Sequence, residues 1–127
     1  MPKNILHSPD APDPAGFYSQ GTQAGGFLFL SGQIPIDPKS GQLIAGNIEE
    51  QTRRVLDNLV AVLGAGGASL ADVVKITVYL TDMADFADFN TTYSRYFPTA
   101  PPARATIAVA ALPRNARIEI DAIAHVP

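Results

Sequence analysis

The sequence predicts an α+β fold: two amphipathic helices laid on one face of a mixed β-sheet. Three observations carry this expectation. A strongly punctuated helix follows Asn47, a helix with an aromatic face follows Asp82, and the segments before, between and after them alternate as strands do. At 127 residues the chain is expected to form one domain, residues 1–127.

The lead-in from Ser8 to Ala15 is dense in proline and reads as turns, because each proline restricts itself and the residue before it. Tyr18 to Thr22 and Phe27 to Ser31 read as two strands of a hairpin around Gly25-Gly26. Pro35, Pro38 and Gly41 then mark a loop. In the first helix Asn47 is the N-cap, Glu50 completes the capping-box spacing, and Glu49 suits the positive end of the helix dipole. Ile48, Val55, Leu59 and Val62, widened by Leu56 and Leu63, form its apolar stripe, and Gly64, Gly66 and Gly67 end it.

Val73 to Leu80 alternates, with Val74, Ile76, Val78 and Leu80 on one face and Lys75, Thr77 and Tyr79 on the other. Asp82 is placed to cap the second helix, whose face is Phe86, Phe89, Tyr93 and Phe97 and which Pro98 stops. Arg104 to Ala111 is expected to turn Ala105, Ile107 and Val109 inward, with Arg104, Thr106 and Ala108 opposite. Leu112 to Ala116 is a turn, and Arg117 to Val126 buries Ile118, Ile120, Ala122 and Ala124 against an outer set of Arg117, Glu119 and Asp121. The second sheet face, with its alanines, Thr77, Tyr79 and Ile123, is neither fully polar nor covered by a helix and invites a partner subunit.

Composition removes several classes of chemistry. Nine Lys+Arg against twelve Asp+Glu give a net charge of -3, which speaks against the broad basic field of a nucleic-acid binder. Zero cysteines exclude disulfides, thiolate nucleophiles and cysteine-ligated metals. No segment reads as a membrane span or export signal, so a cytoplasmic protein is the expectation. Gly64 and Gly66 begin a GxGxxG-like string, but it ends a helix and reaches Ser69 where glycine is required. Ser31 lacks the leading glycine of a nucleophile elbow, since position 29 is Phe29. His7 and His125 lie near opposite ends of the chain, which disfavours a Ser/His couple or a histidine metal site. Asp82, Asp85 and Asp88 are explained by helix capping and dipole before any cation.

What remains is a short set of polar side chains. Arg104 stands among small and apolar neighbours, where a guanidinium is costly without an anion. Two readings stay open: a structural ion pair with Glu119 or Asp121 on an adjacent strand, or a fork awaiting a substrate carboxylate. Glu119 projects from the strand face opposite the core, either as a solvated carboxylate or as a group that deprotonates water. Tyr18 and Asn90 carry weaker signals of their own, a packed tyrosine and a helix-surface amide.

These segments resemble the RidA family, formerly the YjgF family, of imine deaminases. The resemblance runs from Gly16-Phe17-Tyr18-Ser19-Gln20-Gly21 through Ser31-Gly32-Gln33-Ile34-Pro35, Asn90-Thr91-Thr92-Tyr93 and Pro102-Ala103-Arg104 to Ile118-Glu119-Ile120-Asp121. It implies a chorismate-mutase-like fold assembled as a homotrimer, with sites in clefts between subunits. The implied activity is cofactor-free hydrolysis of 2-imino acids or their enamines to 2-keto acids and ammonium. By the same resemblance Arg104 holds the substrate carboxylate, Glu119 activates water, and Tyr18 lines the pocket. Ser31, Gly32 and Asn90 shape the cleft, and Thr106 sits where its backbone N–H can donate to the carboxylate.

Departures from the family pattern bear on substrate preference. Phe17 stands where proline is usual, Phe89 is bulkier than the usual residue and is expected to narrow or reshape the pocket, and Asp121 replaces a common glutamate. Phe17 and Phe89 keep open a larger, aminomuconate-like enamine as substrate. A non-catalytic carboxylate-binding or chaperone-like trimer is the further alternative, and the RNA-directed activity often attached to the family is disfavoured by the acidic balance.

Overall fold

The computed structural model describes residues 3–127. The strands are β1 (Asn4–Leu6), β2 (Gly21–Ala24), β3 (Phe27–Gln33), β4 (Val73–Leu80), β5 (Ala103–Ala108) and β6 (Ile118–His125), and the helices are α1 (Ile48–Ala65) and α2 (Phe86–Tyr96). They form one sheet in the order β1-β2-β3-β6-β4-β5, antiparallel throughout except for the parallel β4–β5 pair at one edge. The last strand to be made therefore lies inside the sheet. Its Ile118, Ile120, Ala122 and Ala124 are buried with Leu28, Leu30, Ile76 and Val78 beneath both helices. Fully burying a valine, leucine or isoleucine side chain contributes about 1.5–3 kcal/mol, and this layer fixes which way β3, β4 and β6 face.

The first helix starts where its capping signals place it. Asn47 Oδ1 accepts from the Glu50 N–H at 2.9 Å, and Glu50 Oε1 accepts from the Asn47 N–H at 3.2 Å. Asp82 also caps, but it caps a 3₁₀ turn (Met83–Asp85) that leads into α2 rather than α2 itself.

Four expectations change. Strand β1 was not foreseen, being three residues long and paired on one side only. The second strand begins at Gly21, so Tyr18 lies on a loop. Val74 is exposed and Val73 buried instead, because Val74 is an extra residue between the Val73–Ala124 and Lys75–Ile123 pairs, and the alternation slips across this bulge.

The fourth change is the largest. Strand β5 faces opposite to expectation: Arg104 and Thr106 lie on the helix side, while Ala105 and Ile107 turn to the uncovered face. The parallel register explains it, pairing Arg104 with the buried Ile76 and Thr106 with the buried Val78.

Candidate active site

Arg104 projects from edge strand β5 over the aromatic face of α2. Residues 86, 89, 90 and 93 share one side of a helix of 3.6 residues per turn, and all four meet the guanidinium. Nη1 donates to Asn90 Oδ1 at 2.8 Å. The guanidinium carbon lies 4.7 Å from the Tyr93 ring centroid, 5.5 Å from that of Phe89 and 5.7 Å from that of Phe86. Among the described residues, ion pairs join Arg117 to Asp85 at 2.7 Å and His7 to Asp13 at 3.9 Å, and none reaches Arg104.

The ion pair considered for Arg104 is therefore not made. Strand β5 neighbours only β4, and the Glu119 and Asp121 side chains leave β6 on the opposite side of the sheet.

A hollow of about 430 Å³ opens beside Arg104, lined by Asn90, Tyr93, Ser94, Phe97, Pro101 and Pro102. The Tyr93 hydroxyl, on the lining of this hollow, and Thr106 Oγ1, two residues on from Arg104 on the same strand face, are buried without a hydrogen-bond partner. Burial pushes the Tyr93 hydroxyl pKa up, while the nearby Arg104 charge pulls it back. Phe89 is not among the residues that line this hollow: it is fully buried under the guanidinium, where it bears on the pocket's shape through Arg104 and not by narrowing it.

Glu119 occupies the other face. Its cross-strand neighbour is Tyr79, whose hydroxyl donates to Asp121 Oδ2 at 2.9 Å. On the other side β3 carries a bulge, since Leu30 to Gln33 spans only Ala122 to Ile120 on β6, and Ser31-Gly32 sit at this irregularity. Gly32 has a steric reason: a Cβ there would run into the Glu119 carboxylate. Ser31 Oγ donates to Ser19 O at 2.7 Å and so ties the Tyr18 loop to the strand. Tyr18, Ser31, Gly32, Pro113 and Glu119 line a hollow of about 280 Å³. Burial first, and the Asp121 charge second, raise the Glu119 pKa above its ordinary value.

The residues singled out in the sequence thus gather into two groups. Arg104, Asn90, Thr106 and Phe89 stand on the helix side, and Glu119, Tyr18, Ser31 and Gly32 on or beside the open side. One sheet lies between them.

The profile described as Endoribonuclease L-PSP matches residues 8–126. The chain belongs to this family, the RidA (YjgF) family. It is 52% identical to a RutC family protein of Pyrococcus horikoshii over 97% of this chain and 98% of that protein. It is 44% identical to the mouse protein named 2-iminobutanoate/2-iminopropanoate deaminase over 96% of this chain and 90% of that one. Among solved structures, Escherichia coli TdcF with bound serine superposes with a TM-score of 0.94 at 38% identity, covering 98% of this chain and 99% of that one.

One residue of this RidA-family chain escaped the sequence reading. Gln20 is buried, its Nε2 donates to the carbonyls of Ser8, Ala11 and Pro12, and its Oε1 accepts from the Ser8 N–H at 2.7 Å. It holds the proline-rich lead-in beside the Glu119 hollow, and nothing in its neighbourhood signals burial of a polar side chain. No group of three His, Cys, Asp or Glu side chains among the described residues is placed to hold a metal ion. Among the same residues no helix is long and apolar enough to cross a membrane.

Proposed function

We propose that this protein hydrolyses reactive 2-imino acids and their enamine tautomers, with 2-iminobutanoate and 2-iminopropanoate as types, to 2-keto acids and ammonium without a cofactor. The observation that carries the reading is Arg104: a guanidinium held by an amide and three rings, beside an open hollow and without a carboxylate of its own. A partly desolvated cation in that state binds a carboxylate through two parallel N–H donors. The name of the mouse relative and the serine bound in the Escherichia coli relative support a small amino-acid-like ligand.

The chemistry asks little of the protein. A protonated imine carbon is already electrophilic, so holding the substrate and placing water accounts for much of the work. Glu119 takes a proton from water as its oxygen bonds to C2, and the C=N bond becomes single. Return of that proton to nitrogen lets ammonia leave as the C2 carbonyl forms, and the hydroxyl proton released in that step passes to Glu119 or water and on to ammonia, giving ammonium. Tyr18 hydrogen-bonds substrate or water.

Because Arg104 and Glu119 stand on opposite faces, the proposed site combines Arg104 of one copy with Glu119 of another, within the homotrimer that the family resemblance implies. Phe89, lying under Arg104, gives no support to a larger enamine. A net charge of -3 disfavours RNA as the substrate.

The test generates imines in situ with an amino-acid oxidase and traps them with semicarbazide. The purified protein is expected to suppress trapping. Arg104→Ala raises KM by about 10- to 100-fold, the range for a lost charged hydrogen bond. Glu119→Gln lowers kcat by about 10²- to 10⁴-fold with binding kept, as for a lost general base. Unchanged trapping with every imino acid tried refutes the proposal.

A further inference from the structure

The surroundings of Arg104 raise a physical question: what compensates a guanidinium that has no acid beside it? Moving a cation even partly out of water is costly unless something replaces the lost hydration. A nearby aspartate or glutamate would do so, but it would also occupy the N–H groups that a ligand needs. Here three aromatic rings surround the guanidinium carbon at 4.7 to 5.7 Å, inside the range at which the negative face of a ring attracts a cation. The one hydrogen bond goes to a neutral acceptor, Asn90 Oδ1, and uses only Nη1.

We infer that Phe86, Phe89 and Tyr93 are positioning residues: they compensate and orient the Arg104 charge with rings instead of a carboxylate, and so keep its remaining N–H groups free for a substrate monocarboxylate. The inference rests on Arg104 being the carboxylate site, and it deepens that reading by naming what prepares the arginine.

Helix geometry delivers the arrangement. Phe86, Phe89 and Tyr93 fall at i, i+3 and i+7, and successive ring centroids lie 6.2 and 5.4 Å apart, so the rings brace one another. Phe89 and Tyr93 are 0% and 4% exposed and cannot turn away. The free fork is thereby held in one orientation before a ligand arrives, which lowers the ordering cost of binding. One positive charge without an acid partner also matches one negative charge, so the hollow is suited to a monocarboxylate over a dicarboxylate.

The experiment measures binding of pyruvate, a 2-oxo monocarboxylate, by calorimetry to the intact protein and to Arg104→Ala, Phe86→Leu, Tyr93→Leu and Tyr93→Phe. The ¹⁵N–¹H signal of Arg104 Nε serves as a second readout, because an adjacent ring shifts it. Loss of one ring is expected to weaken binding about three- to tenfold, the effect of one cation–π contact. The same variants raise KM for imine hydrolysis with kcat little changed, and the Nε signal moves. Tyr93→Phe keeps the ring and restores near-parental binding. Phe86 is only partly buried, so Phe86→Leu carries the test should Tyr93→Leu fail to fold. Pyruvate binding that survives Arg104→Ala overturns the carboxylate reading and this inference with it. Binding lost in Arg104→Ala yet unchanged in Phe86→Leu and Tyr93→Leu, with an unmoved Nε signal, overturns this inference alone.

Discussion

Asp121 stands two residues after Glu119 on the same strand face, and its charge is the second cause, after burial, of the raised Glu119 pKa. The sign of its effect on activity follows directly. The proposed general base works only as the carboxylate, so in that role of Glu119 kcat/KM is expected to fall as pH drops through its pKa and to level off above it. Asp121→Asn removes the neighbouring negative charge but keeps an acceptor for the Tyr79 hydroxyl, which makes Glu119 easier to ionise. The expected result is an acid limb shifted to lower pH with an unchanged plateau. A pH–rate profile that does not move assigns the limb to another group. Arg104 and Glu119 were both legible as residues, because a guanidinium among alanines and a lone strand glutamate stand out. What each touches was not: the partner of Arg104 is a helix face 11 to 18 residues earlier in the chain, and no spacing rule on a strand points there.

Among the elements, those that carry their own punctuation were readable and those defined by pairing were not. Helix α1 is delimited by Asn47 and the glycines after Leu63, and its apolar stripe is the buried one. Strand β5 is the opposite case. Its small and apolar residues alternate either way, so the orientation comes from its register on β4 and from the rings of α2 that accept Arg104. The bulge at Val74 and the insertion of β6 between β3 and β4 belong to the sheet and not to any segment. The energetics of the readable element can be checked. Asn47→Ala removes the side-chain acceptor of the Glu50 N–H, leaves the backbone N–H that donates to Glu50 Oε1, and is expected to cost about 1 kcal/mol. In a domain of this size that lowers Tm by roughly 3–6 °C. A thermal melt with an unaltered midpoint shows that the Asn47 side-chain cap contributes nothing net.

At the scale of the molecule, the sheet is covered on one side only. Phe27, Phe29 and Ile107 are exposed large apolar side chains outside the helix-covered core, and the sheet face with Glu119 carries no helix. Leaving such a surface in water forfeits roughly 25 cal/mol for each Å² that association would bury, so self-association is the expected state. The proposed chemistry needs it as well, since one sheet separates Arg104 from Glu119. A composite site makes a quantitative prediction that a site within one chain does not. Arg104→Ala and Glu119→Gln proteins, each strongly impaired when assayed at substrate below KM, are mixed in equal amounts, dissociated and reassembled. A site built from two copies then pairs the intact arginine of one variant with the intact glutamate of the other in about a quarter of cases under random mixing. Activity is expected to return towards that fraction, whereas the same proteins mixed without subunit exchange stay impaired. If reassembled mixtures that sedimentation shows to be mixed oligomers recover nothing, the two groups do not meet across subunits. The division of labour between Arg104 and Glu119 then has to be abandoned.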